Sequence, residues 1–278
     1  MQEVYVECPS GLTGYVRGLR VSELDEFANV ETVRQRKIGD KVLGVCWVRT
    51  ESVPACYPEL RQRFEQQGEK FKLDWQEVLV CDRFYTMTKI REAGGPGAFE
   101  YEAEFRCVGQ AGCGEHFKRH VDLKQLPIFD LPEETAEKLA NGTNAFSFML
   151  GDNVRVWHKL LYGIDIDKLE STKRMTKDQQ ATTTLMARLL RVEILDGAEI
   201  ARTLEGADLR KWVRDLPAGA WFQMQQELDE IDGGVDTEVD LVCPAFGNHM
   251  EQDLPFGLES LIPPRPERSK KRKARQRS

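Results

Sequence analysis

The sequence predicts an α+β protein in which helices alternate with several β-hairpins, two of them pairing as a degenerate zinc-ribbon-like module. Three observations carry this. Apolar spacing switches repeatedly between a period of two and a period of three to four along the chain. Gly, Pro and Asn/Asp clusters punctuate those switches. Two distant segments repeat one order of features: strand, cysteine, tight glycine turn, second strand.

Taken in order, residues 3–19 read as a hairpin, because Val4 and Val6 alternate up to Pro9-Ser10-Gly11 and Gly14 to Gly18 follows in extended pattern. From Val21 to about Glu92 the pattern is helical. Its clearest helix is expected to start at the N-cap Asp74 and to bury Val80, Phe84, Met87 and Ile90. Gly94-Gly95-Pro96-Gly97 breaks it, and Phe99, Tyr101, Ala103 and Phe105 then alternate with charged residues as a half-buried strand does. Residues 117–126 read as a second strand, and Pro132-Glu133-Glu134 as the first turn of a helix. Phe146 to Leu150, Gly151-Asp152-Asn153 and Val154 to Trp157 form another hairpin signal. Residues 165–191 are expected to form one long helix carrying Leu185, Met186, Leu189 and Leu190. A later helix carries Trp221, Met224, Leu228 and Ile231 and ends at Gly233-Gly234. Val235 to Val242 then alternates apolar with acidic residues as a strand.

The predicted organisation is a single interwoven body over residues 1–266, with the ribbon hairpins at 99–126 and 235–256 and a disordered basic tail at 267–278. At 278 residues, 41% of them hydrophobic, with 13 Phe and 5 Trp, the chain has enough apolar surface to fold. The net charge of −7 hides an asymmetry: Arg268 to Arg277 holds seven basic residues, without which the rest of the chain stands at −14. An acidic body is a poor partner for phosphates, so nucleic acid is expected to be reached only through the basic tail. Neither a signal sequence nor an apolar run of membrane-spanning length is visible, so secretion and membrane insertion are not expected. Seven cysteines, an odd number, argue for a reducing cytoplasm over a disulfide framework.

The constellation with chemical content lies in the two echoing segments, Glu104 to Leu123 and Asp240 to Leu254. A zinc ribbon presents two ligands at each of two hairpin turns, and the two turns together close a tetrahedral site. This chain offers three thiols, Cys107, Cys113 and Cys243, with Phe246 where a fourth is wanted. His249 follows Cys243 at the interval that separates Cys113 from Cys107, so a Cys3His zinc set of Cys107, Cys113, Cys243 and His249 is one arrangement. The other is a metal-free knuckle in which Phe246 fills the space by packing. A catalytic zinc is not expected, since no base accompanies the set.

Other candidates have plainer readings. Cys8, Cys46, Cys56 and Cys81 stand in apolar surroundings and read as buried structural thiols. His120 and His158 have no nucleophile partner, and Asp165 and Asp167 suit the exposed start of a helix. Phosphate-loop, dinucleotide and H-E-x-x-H motifs are absent, so the chain is read as non-enzymatic.

Four stretches, PSGLTGYVRGL, WQEVLVCDRFYTMTKIR, the Cys107/Cys113 hairpin and GGVDTEVDLVCPAFGNHMEQDLPF, occur in this order over roughly residues 3–263. Together they resemble the baseplate hub assembly proteins of contractile-tailed, T-even-type bacteriophages. Where relatives commonly carry C-P-x-C-G, this chain has C-P-A-F-G, a departure at the metal site. The resemblance implies a role in the host cytoplasm during virion assembly, or in the virion baseplate, as an assembly chaperone or minor structural component. Its partners would be other baseplate or tail proteins. The alternative is a nucleic-acid-associated zinc-ribbon-like protein that uses the basic C-terminal tail.

Overall fold

A computed structural model describes residues 2–23, 38–95, 100–108, 112–170, 183 and 185–254. The first hairpin forms as expected: β1 (Glu3–Glu7) pairs antiparallel with β2 (Thr13–Arg17), bringing Val4 opposite Val16. Val6 and Val16 point into the core. A third strand, β3 (Trp47–Ser52), adds to β2 inside the stretch predicted to be wholly helical. Only Trp47 and Thr50 of β3 are even half-buried, so the segment lacks the apolar alternation that marks a strand. Gly14 is what lets β3 dock, because a Cβ there would meet the Trp47 ring and the Arg49 carbonyl.

Three helices complete this body: α1 (Ile38–Cys46), α2 (Pro58–Gln67, with Pro58 in its first turn) and α3 (Val80–Glu92). Asp74 does accept a capping hydrogen bond from the Gln76 N–H, but it caps a separate 3-10 turn, Trp75–Glu77. α3 begins at Val80, and its buried face is Cys81, Asp82, Tyr85, Thr86, Ile90 and Arg91. The predicted stripe of Val80, Phe84, Met87 and Ile90 is therefore displaced from the buried face, with only Ile90 fully buried and Met87 packed at the edge of the core. The reason is polar: Asp82 and Thr86 find buried partners, so the inward face is chosen by hydrogen bonds as well as by apolar spacing.

Residues 78–80 are tied to 161–163 by backbone hydrogen bonds, Val80 N–H to Leu161 O (2.9 Å) and Gly163 N–H to Val78 O (3.0 Å). α4 (Glu133–Ala140) follows Pro132 as expected. The second predicted hairpin is β7 (Phe146–Leu150) with β8 (Val154–His158), and it belongs to a four-stranded antiparallel sheet. Its other strands are β9 (Leu189–Asp196) and β10 (Glu199–Leu204), in the order β10-β9-β8-β7. The long helix over 165–191 does not extend that far. α5 (Gly163–Glu170) covers its start, residues 185–188 are helical, and Leu189 opens a strand. Leu189 is buried and Leu190 exposed, the alternation of a strand; a short apolar run cannot distinguish the two periods. Residues 171–182 of that predicted helix lie outside the described residues.

Two helices cover the sheet, α6 (Gly206–Arg214), which the sequence reading missed, and α7 (Ala218–Asp229). Leu209, Val213, Met224 and Leu228 pack against Val156, Val192 and Leu204. Ile231 lies beyond the end of α7. Two short strands, β6 (Ile128–Phe129) and β11 (Gly234–Val235), pair with each other and lead into the ribbon. The apolar side chains form three clusters that share elements: β7 gives Phe146 to the first and Leu150 to the second, and Val235 touches the first and third. Among the described residues no helix is long and apolar enough to cross a membrane. The tail at 267–278, Phe99 and Leu261-Ile262-Pro263-Pro264 lie outside the described residues.

Candidate metal centre

The third cluster is the ribbon. β4 (Glu100–Arg106) pairs with β5 (His116–Asp122), and β12 (Glu238–Val242) pairs with β13 (His249–Asp253). Each hairpin is its own two-stranded sheet, and the two meet through side chains: Ala103, Phe105 and Leu123 pack against Leu241 and Leu254. A hydrogen bond from Gln252 Nε2 to the Arg106 carbonyl (2.7 Å) also joins them.

This packing sets the two turns side by side. The sulfurs of Cys107, Cys113 and Cys243 all lie within 4.8 Å of one another, with Cys113 Sγ and Cys243 Sγ 3.8 Å apart. Thiolates at about 2.3 Å from a tetrahedral zinc stand roughly 3.8 Å apart, so the spacing fits a shared cation. It is far too long for a disulfide, whose sulfurs sit about 2.05 Å apart. Cys107 and Cys243 are buried, and Cys113 is exposed at the mouth.

The two turns have the same hydrogen-bonded frame. In the first, Cys107 N–H donates to the Glu115 carbonyl (2.8 Å) and Gly114 N–H to the Cys107 carbonyl (3.1 Å). In the second, Cys243 N–H donates to Asn248 O (2.9 Å) and Gly247 N–H to Cys243 O (2.8 Å). Gly114 and Gly247 both take positive φ, 75° and 69°. With the glycines aligned, Cys113 corresponds to Phe246, and His116 corresponds to His249.

This correspondence corrects two expectations. His249 is an exposed residue opening β13 opposite Val242, and it is not part of the sulfur group. Counting from the first cysteine misplaced it, because the first turn carries three more residues than the second before its glycine. Nor does Phe246 fill the site by packing, since its side chain is 70% exposed.

The thiols are not electrically alike. Burial pushes the Cys243 thiol up, but N–H groups of Phe246 and Ala245 and the two neighbouring thiols outweigh it and hold it below its ordinary value. At Cys113 the backbone at Glu115 lowers the thiol, while desolvation and its two thiol neighbours raise it, leaving it above the ordinary value. By their mutual placement the three sulfurs could hold one cation.

The flanking charges differ between hairpins. On β4–β5, Glu102 pairs with Lys118 (3.2 Å) and Glu104 with His116 (3.2 Å). On β12–β13, Glu238 faces Asp253 and Asp240 faces Glu251, acid against acid. Glu238 accordingly lies above the usual carboxylate range, with Glu251 the main cause.

The remaining candidates sit apart from this centre. Cys8, Cys46, Cys56 and Cys81 are buried in the first cluster, and burial raises each thiol, Cys46 and Cys56 to about 12. Asp165 serves structure, accepting from Tyr162 N–H (3.1 Å) and pairing with Lys159 (2.7 Å). His158 is buried beside Phe146 and Phe148, and burial, then the charges of Arg188 and Lys138, lower it to about 4. His120 is exposed on β5. The Asp167 side chain lies outside the described residues.

One polar centre was missed altogether. Asp82 is fully buried and accepts from Ser10 N–H (3.0 Å), from the Ser10 hydroxyl and from the Tyr57 hydroxyl (2.6 Å). Tyr57 OH in turn accepts from Leu79 N–H (3.1 Å). Desolvation raises Asp82 to about 6 against those donors and the Cys81 thiol, 3.8 Å away. Its sequence setting, beside Arg83, looks like an ordinary exposed helix position. No family model, no curated protein and no solved structure matches this chain.

Proposed function

We propose that this chain is a non-enzymatic tail protein that acts in assembly of a phage baseplate hub, as an assembly chaperone or a minor structural component. Such a protein works in the host cytoplasm through docking surfaces on other baseplate or tail proteins. One observation carries the reading: the four stretches on which the resemblance rests meet in pairs in three dimensions. PSGLTGYVRGL meets WQEVLVCDRFYTMTKIR where Ser10 donates to Asp82. The Cys107/Cys113 hairpin meets GGVDTEVDLVCPAFGNHMEQDLPF at the thiol group. Each pair of stretches thus lies together in the fold, and this is what supports the reading.

The acid-on-acid ladder of β12–β13 favours a protein partner with a basic face over nucleic acid at the ribbon. The rival reading, nucleic-acid association, then rests on the basic tail alone. Quantitative mass spectrometry of purified virions and of baseplate precursors from infected cells tests the proposal. Presence in precursors alone makes the chain a chaperone, and a fixed copy number in both makes it a structural part. Absence from both overturns the reading.

A further inference from the structure

We propose that Cys107, Cys113 and Cys243 bind one thiophilic divalent cation of the zinc class as a three-thiolate centre whose fourth corner is completed by a nitrogen donor from outside the chain. The inference is independent of the assembly reading and stands on the ribbon's own geometry.

The chain contains seven Cys and four His, and all eleven lie among the described residues. Four of the cysteines are buried in the first cluster. His158 is in the core beside Phe146 and Phe148, His116 pairs with Glu104, and neither His120 nor His249 joins the sulfur group. No Asp or Glu among the described residues joins it either. The position that the shared turn frame assigns to the fourth ligand belongs to Phe246, which has no donor atom. Its ring is 70% exposed and so leaves the corner unplugged. Three protein ligands with a free position are the mark of an exchangeable site; a closed structural knuckle has four.

Chemistry selects the incoming donor. Three thiolates and a dication carry a net single negative charge, and the acid pairs of β12–β13 stand on one of the two hairpins that hold them. A fourth thiolate would raise the negative charge of the centre itself to two, whereas a neutral imidazole would leave it at one. Cys113 opens the site to solvent, and Val108 and Val242, the chain neighbours of Cys107 and Cys243, are exposed apolar side chains, as is Phe246. That imidazole could be a free small molecule or a histidine of a second copy.

The test uses the full reduced chain and cobalt(II), whose visible bands report coordination number and donor type. Wild type is expected to bind one equivalent with thiolate-to-cobalt charge transfer, and added imidazole is expected to shift the visible bands saturably with cobalt still bound. Cys113→Ser, at an exposed position, is expected to weaken binding by at least about 100-fold. Phe246→Cys is expected to close the site, tightening binding at least about tenfold and abolishing the imidazole response. Bands that sharpen with protein concentration as a dimer forms would assign the donor to a second copy, and an imidazole response in a monomer would assign it to a free ligand. Failure to bind cobalt stoichiometrically overturns the proposal. So does a band shift on His249→Ala in the monomer, which would make the donor internal.

Discussion

Twenty-one apolar side chains are buried around α3 in the first cluster, and six in the ribbon, among the described residues. Both regions also bury a polar group, and the two are stabilised differently. In the body, the Asp82 carboxylate meets four donors supplied by the same chain, the Cys81 thiol among them, so hydrogen bonds close the centre. In the ribbon, three thiols converge on one another, with backbone N–H groups of Ala245 and Phe246 at Cys243. Thiols are weak hydrogen-bond donors and weaker acceptors. A small core with such a centre lacks the apolar burial that carries the body, and small modules of this kind draw on a metal or disulfides for stability. The difference is that a cation bound at the three thiols would add to the stability of one region only.

The largest expected effect follows directly. With the proposed cation bound at the three thiols, its chelation should speed amide hydrogen exchange in β4, β5, β12 and β13 by about 1000-fold, with α3 amides unchanged. Hydrogen-exchange mass spectrometry reads this, and equal acceleration in both regions would break the comparison. Next in size, Asp82→Ala removes the acceptor of the Ser10 and Tyr57 donors and should destabilise the body by about 3 kcal/mol in urea unfolding. Asp82→Asn should lose less, about 1 kcal/mol, because its amide oxygen still accepts from Ser10 N–H. Neither variant should alter cobalt binding at the ribbon.

The ribbon was legible in the sequence and the body's polar centre was not. A cysteine beside a glycine turn after an alternating strand is a local signal, and two such signals state their own relationship. Asp82 gives no local signal, because its donors from outside α3 come from residues 10 and 57, and only tertiary packing turns it inward. The same limit explains β3 and β9. Trp47–Ser52 is read by its neighbour β2, and Leu189–Asp196 by β8, through partners distant in sequence. Hairpins with their turns inside a short window, β1–β2 and β7–β8, were found with their bounds nearly right. His249 was misplaced because residue counting ignored the unequal length of the two turns.

A smaller net effect comes from pH, because two buried groups oppose each other. Asp82 ionises at about 6 in the folded chain, against 3.8 for an ordinary carboxyl. The folded state therefore holds the extra proton, and stability falls as pH rises through that window, by up to about 3 kcal/mol. His158 is held down to about 4 by burial, against 6.5. There the unfolded state holds the extra proton, so stability rises with pH from about 4 to 6.5 by up to about 3 kcal/mol. Between about pH 4 and 6 the wild-type curve should be nearly flat. Asp82→Asn should unmask a rising curve and His158→Phe a falling one, each read from urea midpoints across the range. A flat curve in both variants would remove these groups from the account.

The smallest effect tests the shared frame of the two turns. Gly114 and Gly247 have φ of 75° and 69°, and a Cβ on Gly247 would meet nothing within 4 Å, while one on Gly114 would meet only Arg106 Nη2 at 3.7 Å. The cost of alanine at either position is therefore backbone strain alone, about 1–2 kcal/mol for the left-handed region. Because the strain falls in the module that the cation closes, it should appear as roughly tenfold weaker cobalt binding in both Gly114→Ala and Gly247→Ala, with urea unfolding of the body unmoved. Equal losses would mean that the second turn keeps its part in the site although Phe246 supplies no ligand. A loss confined to Gly114→Ala would mean that the second turn contributes Cys243 alone and that its glycine no longer matters to the site.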